Sequence, residues 1–304
     1  MGRGRVLVRR MSFVLVTGGS GQLATALAKA SAGAVRVVGR PAFDFAKAGT
    51  VDSLFAQEVP ELVINAAAWT AVDVAEMQPD AARRANADGP GRLALLCQRH
   101  ATKLIHISTD YVFDGTKGAP YIETDPTNPT GVYGATKLAG ERAVRAALPD
   151  AVILRTSWVY AEHGKNFVRT MLELARTRDR LRVVADQHGC PTNADDLADA
   201  VLKVADAMRQ PGAHTGGIYH MAGSGETTWH EFACAIFAAA RPLGWKAPPV
   251  EPIATADYPT PARRPADSRL DCGKLAATFG VRLPTWRPSL DRAVRAICAA
   301  ASVA

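Results

Sequence analysis

Tyr133 and Lys137 are the two side chains of this sequence best suited to moving a proton together. They lie four residues apart in Val132-Tyr133-Gly134-Ala135-Thr136-Lys137, and no other tyrosine of the chain has lysine at this spacing. On a helix both side chains project from the same face, one turn apart. A nearby ammonium stabilises a phenolate and lowers its pKa from about 10, so this phenol could protonate a carbonyl oxygen. The same spacing also occurs by chance in helices that do no chemistry.

A run of polar side chains follows a predicted strand near the middle of the chain. Ser108-Thr109-Asp110-Tyr111 comes directly after the apolar run Leu104 to Ile107. Ligands of open α/β sheets bind at the carboxyl ends of the strands, where hydroxyls can orient a substrate carbonyl. Local capping of the turn is the other interpretation of Ser108 and Thr109.

A glycine-rich turn follows the first convincing strand. Phe13 to Thr17 is apolar, Gly18-Gly19-Ser20-Gly21 comes next, and Gln22 to Ala30 has helix-forming composition. In such a unit the small residues let backbone N–H groups approach a pyrophosphate at the helix N-terminus. Ala24 stands where a third glycine would allow close packing of helix on strand. The motif predicts a dinucleotide site, with a turn that binds no ligand as the alternative.

The residues after the second strand bear on the choice of cofactor. Val35 to Val38 is followed by Gly39-Arg40, so no carboxylate is available there for an adenosine ribose. Arg40 could pair with a 2′-phosphate, which favours NADPH over NADH; a solvated loop arginine is the alternative. Asp44 and Phe45 are candidates to flank the adenine.

The elements that must position these residues alternate along the first half of the chain. Helical segments separate apolar runs at Val35 to Val38, Leu62 to Ala67, Leu104 to Ile107 and Val152 to Leu154. The alternation predicts an α/β fold: a Rossmann-type, doubly wound parallel sheet with helices on both faces. Beyond Arg155 the pattern loosens, and we expect a smaller α/β substrate-binding domain. Its predicted helices are Phe167 to Arg176, Ala194 to Met208, Trp229 to Ala240 and Leu290 to Ala300.

Composition and charge limit the classes of protein to which the chain can belong. Its 304 residues are 48% hydrophobic and 21% charged, as in ordinary globular proteins. Four of the seven net positive charges come from arginines within residues 1–10, so the charge gives little support to nucleic-acid binding. The cysteines lack metal-ligand spacing, and no apolar run is long enough to span a membrane. We expect a cytoplasmic protein that binds neither nucleic acid nor membrane, with Met1 or Met11 as its start.

Five blocks of sequence, in order over most of the chain from Met11 onward, place these motifs in a family. They are Asn65 to Asp73 (NAAAWTAVD), Ser108 to Phe113 (STDYVF), Val132 to Glu141 (VYGATKLAGE), Arg155 to Tyr160 (RTSWVY) and Tyr258 to Pro265 (YPTPARRP). With the glycine loop, they resemble the extended branch of the short-chain dehydrogenase/reductase family, and within it the dTDP-4-dehydrorhamnose reductases.

The resemblance implies reduction of the C4 ketone of dTDP-4-dehydro-6-deoxy-L-mannose to dTDP-L-rhamnose, with hydride from NADPH or NADH. Tyr133 would donate the proton, Lys137 would tune Tyr133 and hold the nicotinamide ribose, and Thr109 would hydrogen-bond the reacting oxygen. The cofactor would be lined by Gly18, Gly21, Gln22, Leu23, Asp44, Phe45, Ala66, Ala67, Ala68 and Trp69.

The same resemblance gives expectations for the substrate. Asp110 and Trp158 would contact the sugar, and Arg263 and Arg264 would bind its diphosphate through their paired donors. The alternatives are that Trp158 is a core residue and that the two arginines form salt bridges that fasten their loop.

The domain boundaries follow from the same reasoning. We expect residues 1–11 to be a disordered extension and residues 12–155 to be the dinucleotide-binding Rossmann domain. Residues 156–304 would be mainly a sugar-nucleotide-binding domain, with some segments that return to the Rossmann domain.

Two other functions are kept as alternatives. A nucleotide-sugar epimerase or dehydratase would share the scaffold, but a dehydratase needs a second acid after Asp110, where Tyr111 stands. The regulatory subunit of methionine adenosyltransferase resembles these reductases and binds a dinucleotide without needing the catalytic residues.

Some relatives bind a metal between subunits through a glutamate that follows the glycine loop. Leu23 to Leu27 has no carboxylate, so we predict no metal site, and a monomer or homodimer.

Overall fold

Strands and helices alternate through most of the chain. The computed structural model describes residues 9–10, 13–56, 58–212 and 215–303. Its strands are β1 Arg9–Arg10, β2 Val14–Thr17, β3 Val35–Val38, β4 Glu58–Val59, β5 Leu62–Asn65, β6 Lys103–Thr109, β7 Val152–Thr156, β8 Val159–Tyr160, β9 Leu181–Val184, β10 His188–Gly189, β11 Thr192–Asn193, β12 Gly217–His220, β13 Thr227–Thr228 and β14 Val250–Ile253. Its α-helices are α1 Gln22–Ala30, α2 Ala48–Ser53, α3 Val72–Met77, α4 Pro79–Arg83, α5 Gly89–Arg99, α6 Val132–Ala147, α7 Phe167–Ala175, α8 Ala194–Arg209, α9 Trp229–Ala240, α10 Gly273–Phe279 and α11 Trp286–Val303.

The central sheet is parallel and doubly wound. Within the described ranges it has six strands in the order β12-β7-β6-β5-β2-β3. The order reverses at β2, which pairs with β3 on one side and β5 on the other. β2, β5 and β7 are buried along their whole length, and each begins with three apolar residues, as expected of strands that are covered on both faces. The predicted α/β fold is confirmed.

Helices cover both faces of this sheet. Val14 and Val16 of β2 share a buried cluster with Val201 of α8. Leu15, between them, belongs to a cluster on the other face that contains Leu93 of α5. Successive side chains of a strand point to opposite faces, so one strand contacts both helical layers.

Two elements from the second half of the chain complete this layer. β12 pairs in parallel with β7, which places His220 opposite Arg155. α8 packs along α1 and closely matches the predicted helix Ala194 to Met208. β12 is not among the predicted strands, because its sequence GIYH is short and lacks a continuous apolar run.

The rest of the second half forms a smaller unit with its own core. Short strands pair as β9 with β14, β8 with β11 and β10 with β13. Helices α7, α9 and α11 pack around buried side chains that include Leu172, Phe232 and Val294. α11 begins at Trp286, one turn before the predicted Leu290.

The N-terminal segment is described only in part. β1 runs parallel to β4, whereas residues 1–8 and 11, the rest of the predicted extension, lie outside the described residues. None of the described helices is long and apolar enough to cross a membrane. The described ranges also contain no group of three or more histidine, cysteine, aspartate or glutamate side chains that could hold a metal ion.

Candidate active site

A cleft of about 1070 Å³ opens at the carboxyl ends of the central strands. It is walled on one side by the loops after β2, β3, β5 and β6, and on the other by Trp158, Lys165 and Trp229 from the second half of the chain. Most of the predicted site residues line it, namely Gly18, Gly21, Gln22, Leu23, Arg40, Asp44, Phe45, Ala66, Ala67, Ala68, Trp69, Thr109, Asp110, Tyr133, Lys137 and Trp158.

The glycine loop leads into α1, and the N–H groups in the first turn of this helix have no side-chain cap. Gly21 is the N-cap of α1; no side chain caps the helix, and its first turn contains no acid. Such a helix N-terminus favours an anion. A Cβ on Gly39 would lie only 2.5 Å from Cα of Gly19, which has φ +54°. This close contact accounts for a glycine, instead of an acidic residue, directly after β3.

The loop after β3 contributes Arg40, Asp44 and Phe45 to the lining of the cleft. The Asp44 carboxylate accepts a hydrogen bond from Ala46 N at 2.9 Å, which fixes the turn. The Phe45 ring packs edge-on against Phe43, with centroids 4.8 Å apart. Arg40 is exposed and forms no ion pair with any residue that the structure describes, so its guanidinium is free to bind a phosphate.

A buried polar chain supports the loop Ala66 to Trp69. Thr17 Oγ1 donates to Asn65 Oδ1 at 2.6 Å, and Asn65 Nδ2 lies 2.9 Å from His106 Nδ1. Burial holds the pKa of His106 well below its ordinary value, so its imidazole is neutral and accepts from Asn65. Ala67 N in turn donates to Asn65 Oδ1 at 3.3 Å. These hydrogen bonds therefore hold the loop Ala66 to Trp69, which lines the cleft, in place.

Tyr133 and Lys137 lie in the first two turns of α6, and both are buried. Lys137 is 2% exposed, and its Nζ donates to the carbonyl oxygen of Ile107 at 2.7 Å. Burial lowers the pKa of Lys137 to about 8, against a smaller opposite effect of Glu141.

The Tyr133 pKa shifts in the direction opposite to the predicted one. Burial raises it above its ordinary value, and the hydrogen bond with Thr109 only partly offsets this. The environment explains the sign: Tyr133 packs with Ala75 and Ala82 in an apolar cluster, and the Lys137 ammonium is bonded elsewhere. In this structure the phenol is therefore firmly protonated.

Thr109 and Asp110 stand beside this pair at the end of β6. Thr109 Oγ1 donates to Asp110 Oδ1 at 2.9 Å and accepts from Tyr111 N at 3.2 Å. Thr109 thus caps the 3-10 helix Asp110–Val112 and also contacts Tyr133. Burial raises the pKa of Asp110 to about 6, and hydrogen bonds from Ser268 and Thr109 only partly offset this effect.

Trp158 is held in a strained backbone conformation at the wall of the cleft. Its φ is +46°, which is unusual for a residue with a large side chain. Its ring stacks on Trp229, with centroids 3.5 Å apart, and packs against Gly189, where a Cβ would lie 2.3 Å from Trp158 Cε2. Trp158 is half-buried and lines the cleft, so it is not simply a core residue.

Arg263 and Arg264 are not among the residues that line the cleft, and their binding of the substrate diphosphate stays a prediction. Arg263 is exposed. Arg264 Nη2 donates to Asp73 Oδ2 at 2.7 Å, in a salt bridge that fastens the arginine-rich loop 258–269 to α3. For Arg264, this contact matches the alternative interpretation, in which the arginine fastens its loop.

Comparison with known proteins identifies the family. Residues 11–298 match the family model described as the RmlD substrate binding domain. A dTDP-4-dehydrorhamnose reductase of Sinorhizobium fredii is 48% identical over 285 residues, which cover 93% of this chain and 96% of that protein. The chain belongs to the dTDP-4-dehydrorhamnose reductase family.

Solved structures of this family agree with the fold. The dTDP-4-dehydrorhamnose reductase of Clostridium acetobutylicum is 38% identical and superposes with a TM-score of 0.87, covering 94% of this chain and 99% of that one. The enzyme of Bacillus anthracis, solved in complex with NADP, is 33% identical, with a TM-score of 0.85 and coverage of 93% and 98%.

Sequence reasoning missed the buried ion pair that anchors α6, the helix that carries Tyr133 and Lys137. Arg155 donates to both carboxylate oxygens of Glu141, from Nε at 2.9 Å and from Nη2 at 2.7 Å, and both side chains are 2% exposed. Ser108 Oγ donates to Glu141 Oε1 at 2.5 Å. Glu141 follows Lys137 by four residues, so both lie on the same face of α6. This spacing was the sequence feature that could have indicated that Glu141 is buried beside Lys137.

Asn86 and Trp229 are further residues that the sequence did not reveal. Asn86, in the π-helical turn Arg84–Asp88, accepts from Trp69 N at 2.8 Å and donates to Thr136 Oγ1 at 3.2 Å. Asn86 therefore connects the loop Ala66 to Trp69 with α6. Neither residue lies in a motif that points to its role.

Proposed function

We propose that this chain reduces the C4 ketone of dTDP-4-dehydro-6-deoxy-L-mannose to dTDP-L-rhamnose with NADPH, and that Tyr133 donates the proton. The observation that carries the proposal is that Tyr133, Lys137 and Thr109 line one cleft with the glycine loop. The chain is an NAD(P)H-dependent oxidoreductase by its family, and NADH is the second candidate cofactor.

The residues of the cleft fit a nicotinamide dinucleotide. The uncapped N-terminus of α1 offers N–H donors to a pyrophosphate, and the contact of Gly19 with Gly39 keeps side chains out of that region. Arg40, without an acidic partner in the described ranges, would hold a 2′-phosphate. Phe45 would lie beside the adenine.

The catalytic residues can then protonate the product oxygen. The bound cofactor supplies the hydride that adds to C4 of the sugar. As the carbonyl π bond opens, Tyr133 gives its proton to the oxygen, so that one C–H and one O–H bond replace the π bond. Lys137, on the same helix face, stabilises the phenolate that remains. Thr109, which contacts Tyr133, orients the carbonyl oxygen.

The two alternatives fit the cleft less well. Among the described residues that line it, Asp44 and Asp110 are the only carboxylates, and Asp44 is engaged with Ala46 N. No second acid therefore stands beside Thr109 for a dehydration. A regulatory subunit that only binds a dinucleotide would not require Tyr133 and Lys137 together on one helix face, because it transfers no proton.

The test is an assay of NADPH oxidation. Purified protein is incubated with NADPH, or with NADH in parallel, and with dTDP-4-keto-6-deoxyglucose plus the matching 3,5-epimerase. We expect stoichiometric oxidation that requires the epimerase and falls at least about 100-fold in Tyr133→Phe. Tyr160→Phe is the matched control. Tyr160 is a buried tyrosine in the core of the smaller unit, and it donates to Trp286 O at 3.4 Å. Binding of the cofactor without its consumption would contradict the proposal.

We further infer a cytoplasmic location, where the nucleotide sugar and the cofactor are both available, and a monomer or homodimer. Light scattering on the purified protein would distinguish the two states.

A further inference from the structure

Helix α3 lies against α6 and carries two acidic side chains, Asp73 in its first turn and Glu76 near its C-terminal end. Its Val72 packs in the apolar cluster that contains Tyr133. Asp73 accepts from Ala262 N at 3.2 Å and from Arg264 Nη2 at 2.7 Å, so the loop 258–269 fastens α3 in place. Glu76 follows Asp73 by three residues on the same helix.

Glu76 caps the N-terminus of α6 from outside the helix. The N-cap residue of α6 is Gly131, and no side chain within α6 caps it. Glu76 Oε1 accepts a hydrogen bond from Val132 N at 2.7 Å. A Cβ on Gly131 would lie 2.7 Å from the same oxygen, so a glycine is what lets the carboxylate reach the helix. A carboxylate at this place satisfies an otherwise free N–H group and interacts favourably with the helix dipole.

The capped turn is the one that holds the proton donor. Tyr133 is the second residue of α6, directly after Val132, whereas Lys137 lies a full turn deeper. Loss of the cap would therefore disturb Tyr133 more than Lys137. Glu76 itself does not line the cleft, so any effect on the reaction passes through the helix.

We propose that Glu76 is a positioning residue for the reduction, which holds the first turn of α6 so that Tyr133 stays aligned with Thr109. This inference rests on the proposed role of Tyr133. A small displacement of a catalytic group is enough to cost roughly 10- to 100-fold in rate, whereas cofactor binding depends on the glycine loop at a different part of the cleft.

The experiment compares Glu76→Ala, Glu76→Gln and Asn193→Ala in the NADPH-oxidation assay, each with a thermal unfolding curve. Asn193 caps α8, with Oδ1 accepting from Asp195 N at 2.8 Å, and its removal is the matched loss of a cap away from α6. We expect Glu76→Ala to lower kcat about tenfold, with KM for NADPH changed by less than about twofold. Glu76→Gln keeps an acceptor oxygen and should recover most of kcat. Asn193→Ala should lower the unfolding temperature and leave kcat unchanged.

The proposal is overturned if Glu76→Ala has the same kcat as Asn193→Ala, or if Glu76→Gln is as slow as Glu76→Ala. If the alanine variant does not fold, Glu76→Asp, which is shorter by one methylene, takes its place in the same comparison. Tyr133→Phe is measured in parallel. An active Tyr133→Phe contradicts the proposed function itself, whereas an inactive Tyr133→Phe beside a fully active Glu76→Ala contradicts only the positioning role.

Discussion

Lys137 is almost completely buried, and the role that we propose for it requires its positive charge. Burial lowers its pKa to about 8, from an ordinary value of 10.5, so the ammonium is lost as the pH rises through about 8. The neutral amine cannot stabilise a phenolate at Tyr133. We therefore expect kcat/KM for NADPH to be constant below about pH 8 and to fall above it, by up to about tenfold per pH unit.

Lys137→Arg is the matched control for this pH profile. Guanidinium stays protonated at all relevant pH values, so the alkaline decline should shift upward or vanish even though the rate is lower. An unchanged decline in the arginine variant would show that another group titrates.

Arg40 decides the cofactor preference if it pairs with the 2′-phosphate. Its exposed guanidinium has no ion-pair partner among the described residues, so a charge-assisted bond to a phosphate would not have to break an existing contact. We expect Arg40→Ala to raise KM for NADPH at least about tenfold and to leave KM for NADH unchanged. Steady-state kinetics with both cofactors provide the measurement, and an equal change in both would return Arg40 to the status of a solvated loop residue.

At the scale of elements, the position of α6 depends on its buried ion pair with β7. Glu141 and Arg155 are 2% exposed, so removing one partner leaves an uncompensated charge in the interior. We expect Glu141→Leu to lower the free energy of unfolding by about 3–5 kcal/mol, as judged by urea denaturation. Glu141→Leu combined with Arg155→Met should be less destabilised than the single variant, because no charge remains unpaired. A single variant within about 1 kcal/mol of the native protein would contradict this account.

Strands and helices could be predicted from the sequence where one hydrophobic pattern dominates the segment. β2 and β5 could be predicted as apolar runs because burial on both faces of a parallel sheet requires them, and the glycine loop follows from its place after β2. β12 was not predictable, since its strand character comes from pairing with β7 and not from its own residues. The Tyr133 pKa had the wrong predicted sign, because spacing gives the neighbour Lys137 but not the apolar surroundings.

At the scale of the whole molecule, the cleft lies where the strand order reverses and where the second half of the chain meets the first. The loops after β2 and β5 diverge on either side of the reversal, which leaves room for a ligand. The opposite wall, with Trp158 and Trp229, comes from the smaller unit. The order of motifs along the chain predicted the first wall, whereas the stacking of two tryptophans 71 positions apart depends on tertiary contacts that no local pattern records.

The return of β12 and α8 to the central sheet also limits how this family can diversify. A single crossover near residue 156 that exchanged the substrate-binding half between two relatives would exchange an edge strand and a face helix of the nucleotide-binding half as well. Val201 and its neighbours on α8 would then have to pack on β2 side chains from a different ancestor. New sugar specificities are therefore more readily acquired by changing loops at the cleft wall than by shuffling halves.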